Sequence, residues 1–129
     1  MQSEDFSNMV NWDNLFKQTS AFKNSKPFPF AFIENFFTNE FYNNLFETFP
    51  KIDDSWEIAS PMSKYQHYKT WNNASINDPH KPGDDPSFSE YFNKLKRYAE
   101  SEEFVNNFRE FSGVSVSKLK TISFMSYKK

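Results

Sequence analysis

Apolar positions recur with helical spacing in four stretches of the chain and form short alternating or continuous runs in four others. Leu15 and Phe16, with Thr19, follow Asp13, a residue type suited to capping, and predict a short helix. Ser25 to Pro29 ends it, because Pro27 and Pro29 cannot continue helical hydrogen bonding. Phe30 to Ile33 is a continuous apolar run closed by Glu34 and Asn35, and predicts a buried strand. Thr38 then caps a helix with Glu40 in its first turn, where a negative charge suits the helix dipole. Phe41, Tyr42, Leu45, Phe46 and Phe49 fall on one face of that helix, and Pro50 stops it.

The second half of the chain repeats the alternation of strands and helices. Trp56 to Ile58 and Tyr65 to Trp71 predict strands separated by a turn at Ser60 and Pro61, and the segment from Asn77 to Ser87, with three prolines, predicts a loop. Ser87-Phe88-Ser89-Glu90 fits a capping box, and Phe88, Tyr91, Phe92, Leu95 and Tyr98 follow with helical spacing. Ser101 opens another helix, with Glu102 and Glu103 in its first turn, a stripe of Phe104, Val105, Phe108 and Phe111, and Gly113 as its stop. Leu119 to Tyr127 predicts a final strand, which leaves a pairing edge to be covered.

Composition narrows the class. The 129 residues suffice for one domain with a modest core, burying roughly two thirds of the surface of the unfolded chain. Only 37% are hydrophobic, yet 20% are aromatic and 17 are phenylalanine, so a few large side chains fill the interior. A net charge of -2 supplies no long-range attraction for nucleic acid or an anionic membrane. The absence of cysteine removes disulfides, thiolate metal sites and a cysteine nucleophile, and fits a reducing, cytoplasmic setting. The acidic start of the chain lacks the pattern of a signal peptide, and no apolar run approaches a membrane span.

Candidate chemistry is sparse. His67 and His80 are the two histidines, and neither belongs to a His-x-Asp or His-x-x-x-His pair, so the spacing does not build a metal site. Asp53-Asp54 and Asp84-Asp85 lie in turn-forming sequence, where adjacent acids are usually solvated. With Gly83 and Gly113 as the only glycines, neither a phosphate-binding loop nor a dinucleotide fingerprint can be written. Trp71 and Tyr65 could stack on bases, but the basic groove that accompanies such stacking is missing from the composition.

The segment PFPFAFIENFFTNEFYNNLFETFP, residues 27 to 50, resembles the N-terminal segment of 2-oxoglutarate and Fe(II)-dependent oxygenases of the prolyl-hydroxylase-like group. In that family a proline-phenylalanine start leads to a strand, an acidic-Asn or acidic-Asp hinge, and a helix ending near Phe-Pro. The segment FREFSGVSVSKLKTISFMSYKK, residues 108 to 129, is similar to the family's stretch in which a helix ends at a Thr/Ser-Gly-Ile/Val element and leads into a strand bearing a tyrosine just before the iron-binding part. The resemblance covers about residues 26 to 129 and implies an α+β fold: the N-terminal helices and first strands of an incomplete double-stranded β-helix, or jelly roll. Residues 1 to 25 would then be an N-terminal extension with a short helix.

The function that this resemblance implies is hydroxylation, with Fe(II) and 2-oxoglutarate as cofactors of the full-length relative and none held by these residues alone. Tyr127 matches a position that contacts the cosubstrate in relatives, whereas the family's His-x-Asp and distal His have no match here. The implied partner is the remainder of the oxygenase domain, or an oligomeric partner covering the C-terminal strand. Two alternatives stay open: a non-catalytic interaction or assembly module of similar fold, and an independent metal hydrolase using His67 and His80.

Overall fold

The computed structural model describes residues 4–54, 56–58, 66–71, 83–116 and 123–127. Five helices, α1 (Trp12–Phe16), α2 (Thr19–Asn24), α3 (Asn39–Glu47), α4 (Glu90–Ala99) and α5 (Glu102–Ser112), accompany three strands among these residues. The strands are β1 (Glu57–Ile58), β2 (Gln66–Thr70) and β3 (Ser123–Tyr127). They form one antiparallel sheet in the order β1-β2-β3. The chain divides into two compact units, residues 1–48 with 90–118 and residues 49–89 with 119–129.

The first unit is helical, and Trp12 organises it. Phe16, Phe36, Tyr98, Phe104 and Phe108 surround its ring with centroids 5.4 to 6.3 Å away, mostly edge-on, the arrangement that aromatic quadrupoles favour. Its indole Nε1 donates a 2.7 Å hydrogen bond to the hydroxyl of buried Tyr98, on which Phe6 stacks. Phe22 of α2 meets Phe111 of α5, while Phe41 and Leu45 supply the buried side of α3. The expected boundary at residue 25 does not coincide with this division, because α1 and α2 pack on α5 and share its core.

Local sequence sets the ends of α3 and α5. The Thr38 and Ser101 hydroxyls each accept a hydrogen bond from the backbone N–H three residues on, Phe41 and Phe104, at 3.3 Å. Gly113 closes α5 at φ 72°, a left-handed conformation that costs glycine little. In contrast, the predicted N-terminal helix is split in two: Gln18, with ψ near zero, separates α1 from α2. The capping box at Ser87 also shifts. Its N–H and hydroxyl both donate to the Asp85 carboxylate, at 2.9 and 2.6 Å, and α4 begins only at Glu90.

Residues 30 to 33 correct the expectation of a buried strand: they have no regular structure, and Phe30 and Phe32 are exposed. The chain segment available for pairing reaches the residues just after them instead. Asn11 N–H donates to Phe36 O at 2.8 Å and Thr38 N–H to Met9 O at 3.0 Å, with Val10 and Phe37 bridged. The Glu34-Asn35 hinge makes this possible. Asn35 is left-handed at φ 52°, which asparagine tolerates, and its carbonyl accepts from the side-chain amides of Asn11 and Asn14 at 2.8 and 3.2 Å.

The apolar face predicted for α3 is only partly buried, since Tyr42 and Phe46 stand in solvent and stack 6.2 Å apart. Leu119 to Ile122, the first part of the predicted last strand, and the turn at Ser60 and Pro61 lie outside the described residues.

Candidate functional site

The sheet of the second unit carries the residues whose chemistry the sequence singles out. A strand alternates its side chains, so β2 places His67 and Lys69 on one face and Tyr68 and Thr70 on the other. His67 stands in register with Ile58 of β1 and Ser126 of β3. Its Nδ1 is buried and has no hydrogen-bond partner among the described residues. An unpaired buried polar atom costs about 1–3 kcal/mol, so a donor or acceptor brought to this atom would recover that amount.

Around the same strand the other polar groups are engaged. The Tyr68 hydroxyl bonds the Glu57 carboxylate across the β1–β2 pair; that bond, then burial and the negative charge of Glu57, pushes the phenol above its ordinary range. The ammonium of Lys69 sits 5.5 Å from the ring centroid of Phe88, within cation–π distance. Trp71, fully buried, stacks on Phe88 at 5.0 Å and nearly parallel, and its Nε1 donates to Gly83 O at 3.0 Å. These contacts make Trp71 a core residue of the second unit rather than a platform for bases.

Tyr127 is the last described residue of β3 and lies in register with Gln66, one position along from the Ser126–His67 pair. The fold therefore brings the backbone of the tyrosine singled out by the family resemblance beside the strand that holds His67. His80 and Tyr65 lie outside the described residues. Asp53 and Asp54 are exposed, and the backbone carbonyl of Asp53 accepts from Trp56. Asp85 corrects the expectation of a solvated pair: it is buried and serves the turn ahead of α4.

A second feature, in the helical unit, has no local sequence signal. A groove of about 410 Å³ is lined by residues including Glu4, Asn8, Glu40, Tyr91, Lys94 and Arg97. Arg97 Nε and Nη2 donate to the two oxygens of Glu4 at 2.7 and 2.8 Å, a fork geometry that holds the Glu4 carboxyl below its ordinary range. The two residues are 93 positions apart, and nothing in either neighbourhood announces the pair.

Among the described residues no three His, Cys, Asp or Glu side chains converge. Nor is any described helix long and apolar enough to cross a membrane. No protein-family model matches the chain, and no curated protein or solved structure is significantly similar to it.

Proposed function

We propose that residues 26 to 129 are the N-terminal portion of a 2-oxoglutarate and Fe(II)-dependent dioxygenase, a hydroxylase built on a double-stranded β-helix. The observation that carries this reading is the order of elements along the chain. Helix α5 ends at Gly113 in a left-handed cap, and the next described element is β3, which ends at Tyr127 and pairs antiparallel with β2. That order of helix, Ser-Gly-Val stop and tyrosine-bearing strand is the one on which the family resemblance rests. The Asn35 hinge and the Thr38 cap, which place α3, support it from the other end of the chain.

When bound, Fe(II) and 2-oxoglutarate supply the oxidising chemistry, and on this reading their protein ligands come from outside these residues. The work of the present residues is positional. The helical unit has its own aromatic core, and Tyr127 stands opposite Gln66 on the β2–β3 ladder; the family resemblance makes it the residue that would contact the cosubstrate.

A second reading, a non-catalytic interaction or assembly module, draws on the exposed stack of Tyr42 and Phe46 on α3. The reading frame beyond codon 129 separates the two. The enzyme requires a His-x-Asp soon after Lys129 and a second His further on; a frame without them rejects the oxygenase and leaves the module.

A further inference from the structure

The segment before α1 forms one wall of the groove of about 410 Å³, whose other walls are α3 and α4. Two kinds of attachment hold it there. From Asn8 onward the backbone is built in: Asn8 O accepts from the Thr38 hydroxyl at 3.1 Å, Met9 O from Thr38 N–H at 3.0 Å, and Asn11 N–H donates to Phe36 O at 2.8 Å. Met9 and Val10 are also buried. Residues 4 to 7 are attached differently, through side chains alone. Glu4 bonds the Arg97 guanidinium, in a pair exposed by 36% and 39%, and half-buried Phe6 stacks on Tyr98 at 4.9 Å.

We propose that residues 4 to 7 are a latch on the α3–α4 groove, which swings off α4 while Asn8 to Asn11 and the helical core stay in place, with the Glu4–Arg97 pair as its catch. The inference does not depend on the function proposed above. An exposed ion pair contributes little to stability and weakens as salt screens it. Withdrawing Met9 and Val10 from the core, with loss of their neighbours' backbone hydrogen bonds, costs several times more. Opening therefore stops at Asn8, as expected of a segment with few buried contacts at the edge of a packed unit.

Charge makes the pair the controlling contact. Glu4, Asp5, Glu40 and Glu90 line the groove together with Lys94 and Arg97, so the closing wall is acidic and α4 supplies its counter-charge. Phe6 adds apolar contact to the closed form without responding to salt. A salt-dependent opening at neutral pH thus reports the catch, where acid would also titrate Glu40 and Glu90.

The chain has no cysteine, so nitroxides on Ser7→Cys and on Asn43→Cys, an exposed position of α3, are the only labels. Distances between them, measured by double electron–electron resonance on the whole chain, separate a closed population from a longer, broader open one. The ratio of open to closed should rise about two- to fivefold between about 10 mM and about 1 M NaCl, with the circular dichroism spectrum unchanged. Glu4→Gln should have the raised ratio already at low salt and respond no further, and Glu4→Arg combined with Arg97→Glu should restore the salt response. A ratio indifferent to salt and to Glu4→Gln would overturn the latch. Opening raised by Phe6→Ala and not by Glu4→Gln would overturn the ion pair as its catch. A longer distance that appears only together with loss of circular dichroism would show unfolding of the whole unit instead of a latch.

Discussion

Replacing Trp12 by alanine removes the ring on which five aromatic neighbours converge, and replacing it by phenylalanine removes mainly the indole N–H that reaches Tyr98. The two substitutions separate packing from hydrogen bonding. Truncation of a fully buried aromatic residue costs about 3–5 kcal/mol, and half-buried Trp12 should lose somewhat less, about 2–3 kcal/mol. Trp12→Phe leaves the buried Tyr98 hydroxyl without its donor, at a cost of about 1–3 kcal/mol. Tyr98→Phe does the converse, and the double variant should lose less than the two single variants combined, by about 1 kcal/mol. Urea unfolding followed by far-ultraviolet circular dichroism at pH 7 reads the parent and the four variants. Additivity within about 0.3 kcal/mol would show that the bond contributes nothing specific, and a Trp12→Ala loss below about 1 kcal/mol would refute the view of Trp12 as the centre of the helical unit.

Other consequences are read in the same assay or close to it. Ser101→Ala removes the acceptor for Phe104 N–H and should lower stability by about 0.5–2 kcal/mol. Gly113→Ala should cost about 1 kcal/mol through its left-handed backbone, since the added methyl meets Lys23 Cε at an ordinary 3.4 Å; an unchanged melting temperature would argue against the cap. The Glu4 carboxyl, held below the ordinary glutamate value chiefly by its hydrogen bond to Arg97, stabilises the fold above that ordinary value, and the contribution disappears as pH falls through the lowered one. Stability curves of the parent and of Glu4→Gln should therefore converge in acid, and curves that run parallel would contradict the assignment. Tyr98 is shifted the other way, chiefly by burial, so its neutral form favours the folded state: its contribution is complete below the ordinary tyrosine value and is lost as pH rises through the raised one. Tyr98→Phe should flatten that alkaline limb.

What the sequence discloses follows the range of the interaction. Thr38, Ser101 and Gly113 set helix ends through bonds spanning a few residues, and each is legible because its partner lies within the same turn. The register of β2 with β3 links residues more than fifty positions apart, yet both strands are legible from their own alternation. Trp12 is different. Its partner Tyr98 is 86 positions away, and no periodicity in either segment links them. Residues 30 to 33 show the reverse case, a local apolar run that takes no regular structure. Tyr127 falls in β3, within the strand predicted over 119 to 127, whereas the buried Nδ1 of His67, without a partner among the described residues, depends on how three strands assemble and has no sequence signature.

Anaerobic titration of 2-oxoglutarate onto the Fe(II)-loaded protein from the complete reading frame tests the proposed function most directly, because it needs no knowledge of the substrate. The account expects stoichiometric binding that is lost when Fe(II) is withheld and weakened several-fold, with Fe(II) retained, by Tyr127→Phe. A protein that folds, with intact circular dichroism, and binds neither Fe(II) nor 2-oxoglutarate would contradict it.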